Sequence, residues 1–291
     1  MLSVVTMTLS GALNITLVPL GGETKYNKAK LLQGQGVDEP LSEFGFEQAT
    51  AAGQFLSKIK FTHVFSSDLQ RAKQTAAAIV LKNSLEHKLE IIYDPRLRER
   101  KYGIVEGKPL SELRALAKAA GQKCPHFTPP GAETVGEVQA RAKEFFNYLC
   151  RLLQKPTEQY NGAPDQLDTA ADLSEDLHGS PKGPSTVESN SSDISESNSN
   201  TAKDLMANVL LVSHGGFILQ WVRYFIEDLK CPIPQSFDQS RTFTVCPNTA
   251  ISSFVITLNQ VAKSSPRIVC GYLYKCSHLD DISTPQDVFS V

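Results

Sequence analysis

Three short apolar runs, NITLV at 14–18, HVF at 63–65 and VLLV at 209–212, each stop at polar or glycine residues that lead into a helical pattern. A strand that is apolar along its whole length is buried on both faces, and a helix following at once is what a parallel sheet covered by helices requires. Helical spacing predicts helices over 43–58, 68–81, 110–120, 134–153 and 216–228. The fourth carries apolar residues at Val138, Ala142, Phe145, Phe146 and Leu149, one face of a 3.6-residue period. TAISSFVITL at 249–258 and RIVCGYLY at 267–274 read as later strands, placed as an antiparallel edge. The expected fold class is α/β, a mostly parallel sheet with helices on both faces. In such sheets the ligand sits beyond the carboxyl ends of the strands, so the residues just after each run are the ones to search.

Composition breaks this pattern once. From 154 to 206 the chain is rich in Ser, Asn, Asp, Glu, Pro and Gly (GSPKGPSTVESNSSDISESNSN) and nearly empty of branched or aromatic apolar residues. Such a segment cannot bury enough surface to offset chain entropy and is expected to be a disordered insertion, which a fold tolerates because loop-closure entropy grows slowly with length. The expected organisation is an N-terminal extension at 1–12, one domain built from 13–153 and 207–278, the insertion at 154–206 and a tail at 279–291. With 29 Lys+Arg against 31 Asp+Glu the net charge is −2, which argues against nucleic acid or a membrane surface as partner. No apolar run reaches the roughly 18 residues of a spanning helix. Six cysteines lack any CxxC pair or zinc-site spacing, so they read as reduced thiols, a cytoplasmic location is expected, and neither metal nor cofactor is implied.

Three segments carry groups suited to phosphate chemistry. Ser213-His214-Gly215-Gly216 joins the run at 209–212 to a helix. A histidine there, flanked by glycines at a helix N-terminus, suits an anion, although a lone histidine also serves as a buried structural group. Ser66-Ser67-Asp68 follows the run at 63–65, with Asp68 placed to cap the next helix and Arg71 one turn inside it. The Arg71 guanidinium can fork onto phosphate or lie on an exposed helix surface. The segment from Arg96 to Gly107 packs Arg96, Arg98, Arg100 and Lys101 around Glu99 and Glu106. It fits a pocket for an anionic sugar phosphate with one carboxyl as general acid, and equally a solvated charge run, though Leu97, Tyr102, Ile104 and Val105 favour partial burial.

These pieces in this order, with the strings QGQGVDEPLSEFGF, FTHVFSSDLQRAKQT, RLRERKYGIVEGKPLSELRALAKAA, FTPPGAET, LLVSHGG and CPNTAIS, resemble the histidine phosphatase superfamily, in particular its fructose-2,6-bisphosphatase members. The resemblance implies the three-layer α/β/α phosphoglycerate-mutase-like fold and a phosphorylated sugar, fructose-2,6-bisphosphate or a relative, as ligand. It implies that a histidine in an Arg-His-Gly-Glu-Thr motif attacks phosphorus and that water then hydrolyses the phosphohistidine. By the same resemblance His214 and Arg71 hold the phosphoryl oxygens, and Glu99 donates a proton to the leaving alcohol. Asn27, Gln33 and Gly34 match the loop after the first motif, and Tyr102 belongs with the sugar pocket.

Where the motif should stand, this chain reads Leu20-Gly21-Gly22-Glu23-Thr24. Anchored on Gly22-Glu23-Thr24 and Asn27, Leu20 takes the place of the phosphate-binding arginine and Gly21 that of the nucleophile. Two readings follow: a sugar bisphosphatase with impaired catalysis, or an inactive pseudophosphatase that holds a phosphorylated ligand or a protein partner. Under either, replacing Leu20 by arginine together with Gly21 by histidine is expected to create phosphatase activity.

Overall fold

The computed structural model describes residues 11–18, 21–83, 89–154, 205–244, 246–258 and 265–282. Twelve elements carry the fold: β1 (Gly11–Val18), α1 (Lys25–Lys28), α2 (Glu43–Phe55), β2 (His63–Ser66), α3 (Gln70–Lys82), β3 (Ile91–Tyr93), α4 (Leu110–Ala119), α5 (Val135–Gln154), β4 (Leu205–Val212), α6 (Gly215–Arg223), β5 (Ile251–Leu258) and β6 (Arg267–Lys275). One sheet runs in the order β3-β2-β4-β1-β5-β6. The pairs from β3 through β1 are parallel and those to β5 and β6 antiparallel, the mostly parallel sheet with an antiparallel edge that the sequence predicts.

Alternation along the strands separates two cores. Leu13, Ile15 and Leu17 of β1, Phe65 of β2 and Val209 and Leu211 of β4 face one side, against α5 and α6. Val64, Leu210 and Val212 face the other, against Ala52, Ala72, Ala76 and Ile79 of α2 and α3. The first core is aromatic: Trp221 is fully buried, donates its indole N–H to the Ala142 carbonyl at 2.8 Å, and neighbours Phe146 and Phe225, whose rings meet edge-on at 5.1 Å. Each such side chain contributes roughly 1.5–3 kcal/mol by leaving water. The second core sets the alanines of α2 and α3 (Ala52, Ala72 and Ala76) among larger residues, Leu56, Phe61 and Ile79.

Several boundaries differ from the sequence reading for identifiable reasons. β4 begins at Leu205, four residues before the apolar run, because Ala12 to Asn14 of β1 offer it parallel partners. β5 begins at Ile251 rather than 249, since Thr249 sits at φ +52, a left-handed conformation that breaks the extended backbone before the strand. α6 ends at Arg223 and continues as one π turn, Tyr224–Asp228. β3, three residues paired only with β2, has no counterpart in the sequence reading. The predicted insertion, except for Gln154 in α5 and Leu205 and Met206 in β4, lies outside the described residues, as does most of the predicted N-terminal extension. Among the described residues no helix is long and apolar enough to cross a membrane, and no group of three or more His, Cys, Asp or Glu side chains could hold a metal ion.

Candidate active site

The carboxyl ends of β1, β2 and β4 meet through backbone pairing, Ser213 N–H to Val18 O at 3.2 Å and Ser67 N–H to Val212 O at 2.9 Å. His214 forms the N-cap of α6 in extended conformation, and its carbonyl accepts from Ile218 N–H. Its ring is fully buried. Nε2 lies 2.8 Å from the Ser67 hydroxyl, and Nδ1 has no partner. Burial, and then the charges of Arg71 and Arg141, push this imidazole well below the ordinary histidine value, so it is neutral at physiological pH.

At the end of β2, Asp68 does not cap α3 as the sequence suggests. Leu69 is the N-cap and makes no side-chain cap, while both Asp68 oxygens take the Arg98 guanidinium, at 2.7 and 2.6 Å. That ion pair outcompetes the cap because a bidentate charge-assisted pair is the stronger interaction. It also holds Asp68 below the usual carboxylate range. Arg71, the second residue of α3, is 2% exposed and points under the loop at 34–37, donating to Gly34 O at 2.9 Å and Val37 O at 3.1 Å. Burial pushes its guanidinium down while the charges of Glu99, Asp38 and Glu106 act in the opposite direction, so three carboxylates surround one buried cation.

Glu99 is the buried carboxylate nearest α6. Its two oxygens accept from Arg100 N–H at 2.7 Å and Gly216 N–H at 3.1 Å. A β-carbon at position 216 would stand 2.4 Å from Glu99 Oε1, so a larger residue there would push the Glu99 carboxylate aside. Apart from exposed Lys101, the other charges between Arg96 and Gly107 are bound to protein. Arg96 pairs with Asp94, Arg98 with Asp68, and Arg100 donates to the carbonyls of Glu133 and Phe127. The run is neither a solvated charge face nor a row of cations open to ligand. Its guanidinium groups fix the loop, while partly buried Tyr102 lies against Arg100, 5.4 Å from its ring centroid. Burial, then the Glu99 charge, raises the Tyr102 phenol well above its ordinary value.

Residues that sequence reasoning missed complete the support. Arg141 on α5 donates to the carbonyls of Arg96, Arg98 and Glu99 and to both oxygens of Glu133. Gln35 donates to Glu99 O and Glu133 Oε2. Glu106 seats its carboxylate on the backbone N–H groups of Gln35, Gly36 and Tyr102, with Gly34 at φ +64 turning the chain around it. Gln33 is buried with Oε1 unpartnered. The signal in the sequence was available only as charge (Glu106, Glu133, Arg141), without any hint of partners tens of residues away.

The β1–α1 connector is built from backbone. Thr24 and Asn27 form a capping box for α1, which occupies the Asn27 amide oxygen locally. Gly22 N–H donates to Thr75 Oγ1 at 3.0 Å, and Glu23 N–H to Gln48 Oε1 at 2.8 Å. Gly22 lies so close to Gly45 that a β-carbon would stand 2.0 Å from the Gly45 oxygen. At Gly21 a β-carbon would stand 2.6 Å from the Arg71 carbonyl oxygen and 3.0 Å from Thr75 Oγ1. The expectation that histidine can simply be placed at 21 is therefore corrected: the enclosing atom is helix backbone, which does not swing aside. Leu20 lies outside the described residues.

Comparison with known proteins agrees with this architecture. Residues 21–157 match the family model described as histidine phosphatase superfamily (branch 1). The chain is 48% identical over 271 residues to fructose-2,6-bisphosphatase TIGAR of Xenopus tropicalis, covering 93% of this chain and 96% of the relative. It is 45% identical to TIGAR of Bos taurus, covering 90% and 95%. Among solved structures, a mycobacterial glucosyl-3-phosphoglycerate phosphatase complexed with VO3 is similar in fold, with a TM-score of 0.59 at 21% identity over 91% of this chain and all of that one.

Proposed function

Since this chain belongs to the histidine phosphatase superfamily, we propose that its site takes fructose-2,6-bisphosphate, or a closely related phosphorylated sugar, and that removal of the phosphate is strongly impaired. The single observation that carries the reading is the convergence of buried His214, Arg71 and Glu99 at the strand ends beside the α6 N-terminus, in a chain 48% identical to a named fructose-2,6-bisphosphatase. In this reading the α6 N-terminus, His214 and Arg71 hold the phosphoryl oxygens and neutralise charge that develops on them. Glu99, held by two backbone N–H groups, supplies the proton to the departing sugar oxygen. Gln33, Gly34, Asn27 and Tyr102 shape the side where the sugar lies.

Attack on phosphorus is the missing step. Gly21 has no side chain, so no covalent phosphoenzyme forms there, and direct attack by water remains. Loss of a covalent nucleophile lowers kcat by roughly 10⁶ in other enzymes and leaves about 10³–10⁴ over water from binding and electrostatics. A second reading, a phosphorylated-ligand holder without turnover, is favoured specifically by the Arg71 backbone crowding Gly21, where a β-carbon would stand 2.6 Å from the carbonyl oxygen. Phosphate release from fructose-2,6-bisphosphate by the full chain, run beside calorimetric binding of the same compound, separates the two. Binding with no release supports the holder, slow release supports the impaired enzyme, and absence of both refutes the sugar-phosphate site. The same reading places the protein in the cytoplasm, in keeping with free cysteines throughout the described residues.

A further inference from the structure

Ser67 is fully buried at the end of β2, and its hydroxyl oxygen accepts the backbone N–H of Leu69 at 3.3 Å. A hydroxyl that accepts there still has its own proton to place. Among the described residues the acceptor within reach is His214 Nε2, at 2.8 Å and 147 residues away in sequence. The alternative, Nε2–H donating to Ser67, would leave two buried groups unpartnered, the Ser67 proton and the Nδ1 lone pair, whereas Ser67 donating to Nε2 leaves one, Nδ1–H, and each such group costs about 1–3 kcal/mol. We infer that Ser67 is a positioning residue that holds His214 in the tautomer carrying its proton on Nδ1, the buried nitrogen that has no partner.

The consequence is a donor without charge. A neutral imidazole N–H offers one hydrogen bond to an anionic oxygen and needs no second proton to do so. The charged groups around the ring are Arg71 on α3, Arg141 on α5, Glu99 in the loop before Tyr102, and the Asp68–Arg98 pair beside Ser67. The two arginines on α3 and α5 already oppose a second positive charge on His214, consistent with the direction of its shift. The function of Nδ1–H as an anion donor rests on the phosphoryl-site reading above, whereas the tautomer itself does not.

Long-range proton–nitrogen correlation on the full chain labelled at its six histidines reads the tautomer directly, with His214→Gln identifying the signal. The expected result is an Nδ1–H ring that does not change from about pH 5 to 8. An Nε2–H ring, or one that titrates in that window, would overturn the inference. In Ser67→Ala, Nε2 loses its donor, so the signal is expected to move toward Nε2–H and to begin titrating, with recovery in Ser67→Thr. An unchanged Ser67→Ala ring would equally overturn it. Sulfate, whose charge is constant across this range, is the binding probe: affinity is expected to be flat with pH in the parent. In Ser67→Ala it is expected to be about tenfold weaker near neutrality and to strengthen as pH falls. The expected tautomer without sulfate binding would refute the phosphoryl site while leaving the positioning role of Ser67 established.

Discussion

The strand ends at β2 and β4 and the connector after β1 belong to the same site and are built in opposite ways. At β2 and β4 buried side chains do the work: Ser67, Arg71, His214 and, from the neighbouring loop, Glu99. After β1 the space is filled by backbone, with Gly21 against the Arg71 carbonyl and Gly22 against Gly45. On the proposed reading, the difference teaches that holding an anion and attacking it are separable properties of one fold. The two sides meet at Arg71, whose carbonyl accepts from the same Thr75 hydroxyl that takes Gly22 N–H, and otherwise draw on different supports. Thr75 and Gln48 hold the connector, while Arg141, Glu133 and Gln35 hold the loop of Glu99.

The largest expected effect breaks the connector. Gly22→Ala places a β-carbon into the Gly45 backbone and should lower unfolding free energy by about 3 kcal/mol, as read by urea denaturation. Gly21→His should be comparably destabilised and should not gain activity even with Leu20→Arg. A stable, active double variant would show that α3 yields and that the two regions are not built independently. On the opposite side, Arg141→Met removes donors to three carbonyls and to Glu133 and is expected to cost about 2–3 kcal/mol. It should also weaken sugar-phosphate binding, whereas a connector variant that still folds should bind normally. Equal binding loss in both would collapse the distinction.

Acid titration sharpens it further. His214 has its folded value depressed, so the native state carries fewer protons than the unfolded chain and stability is lost as pH falls below about 6.5. His214→Asn should flatten that slope between about pH 6.5 and 5, seen as a smaller change in thermal midpoint. Asp68 is also depressed, so its pairing with Arg98 stabilises above the unfolded carboxylate value and is lost as pH falls through the folded one. Asp68→Asn should cost no more than about 1 kcal/mol near neutrality, given solvent screening of a partly exposed pair, and the difference from the parent should vanish in acid. The smallest effect serves as a control. Gly136 in α5 has only Thr134 Oγ1 near, at 3.9 Å, so Gly136→Ala should be neutral or stabilise by up to about 1 kcal/mol.

What could be read from sequence follows from the range of the interactions. β1, β2, β4 and the main helices were legible because apolar periodicity is local, while His214 and Arg71 drew attention because strand ends are where an α/β sheet places its chemistry, and Glu99 through its charged run and the family resemblance. β3 was not, since three residues make no pattern, and neither was the left-handed turn at Thr249. Gln35 and Arg141 went unread, and Ser67 and Glu106 were read only as members of their segments, because their meaning lies in partners 42 to 147 residues away. Asp68 was misread for the same reason: its local use as a cap lost to Arg98, 30 residues distant. Gly21 was legible as a missing side chain but not as a space too small to receive one.

Across generations of mutation, the Arg71 carbonyl standing 2.6 Å from where a Gly21 β-carbon would lie acts as a ratchet. A lineage carrying this connector does not regain a histidine at that position by one codon change. It must first shift α3 or alter the connector's length, and each such intermediate faces selection on folding before any chemistry can reward it. Drift is thus freer to change the side chains at the ends of β2 and β4 than to restore one after β1.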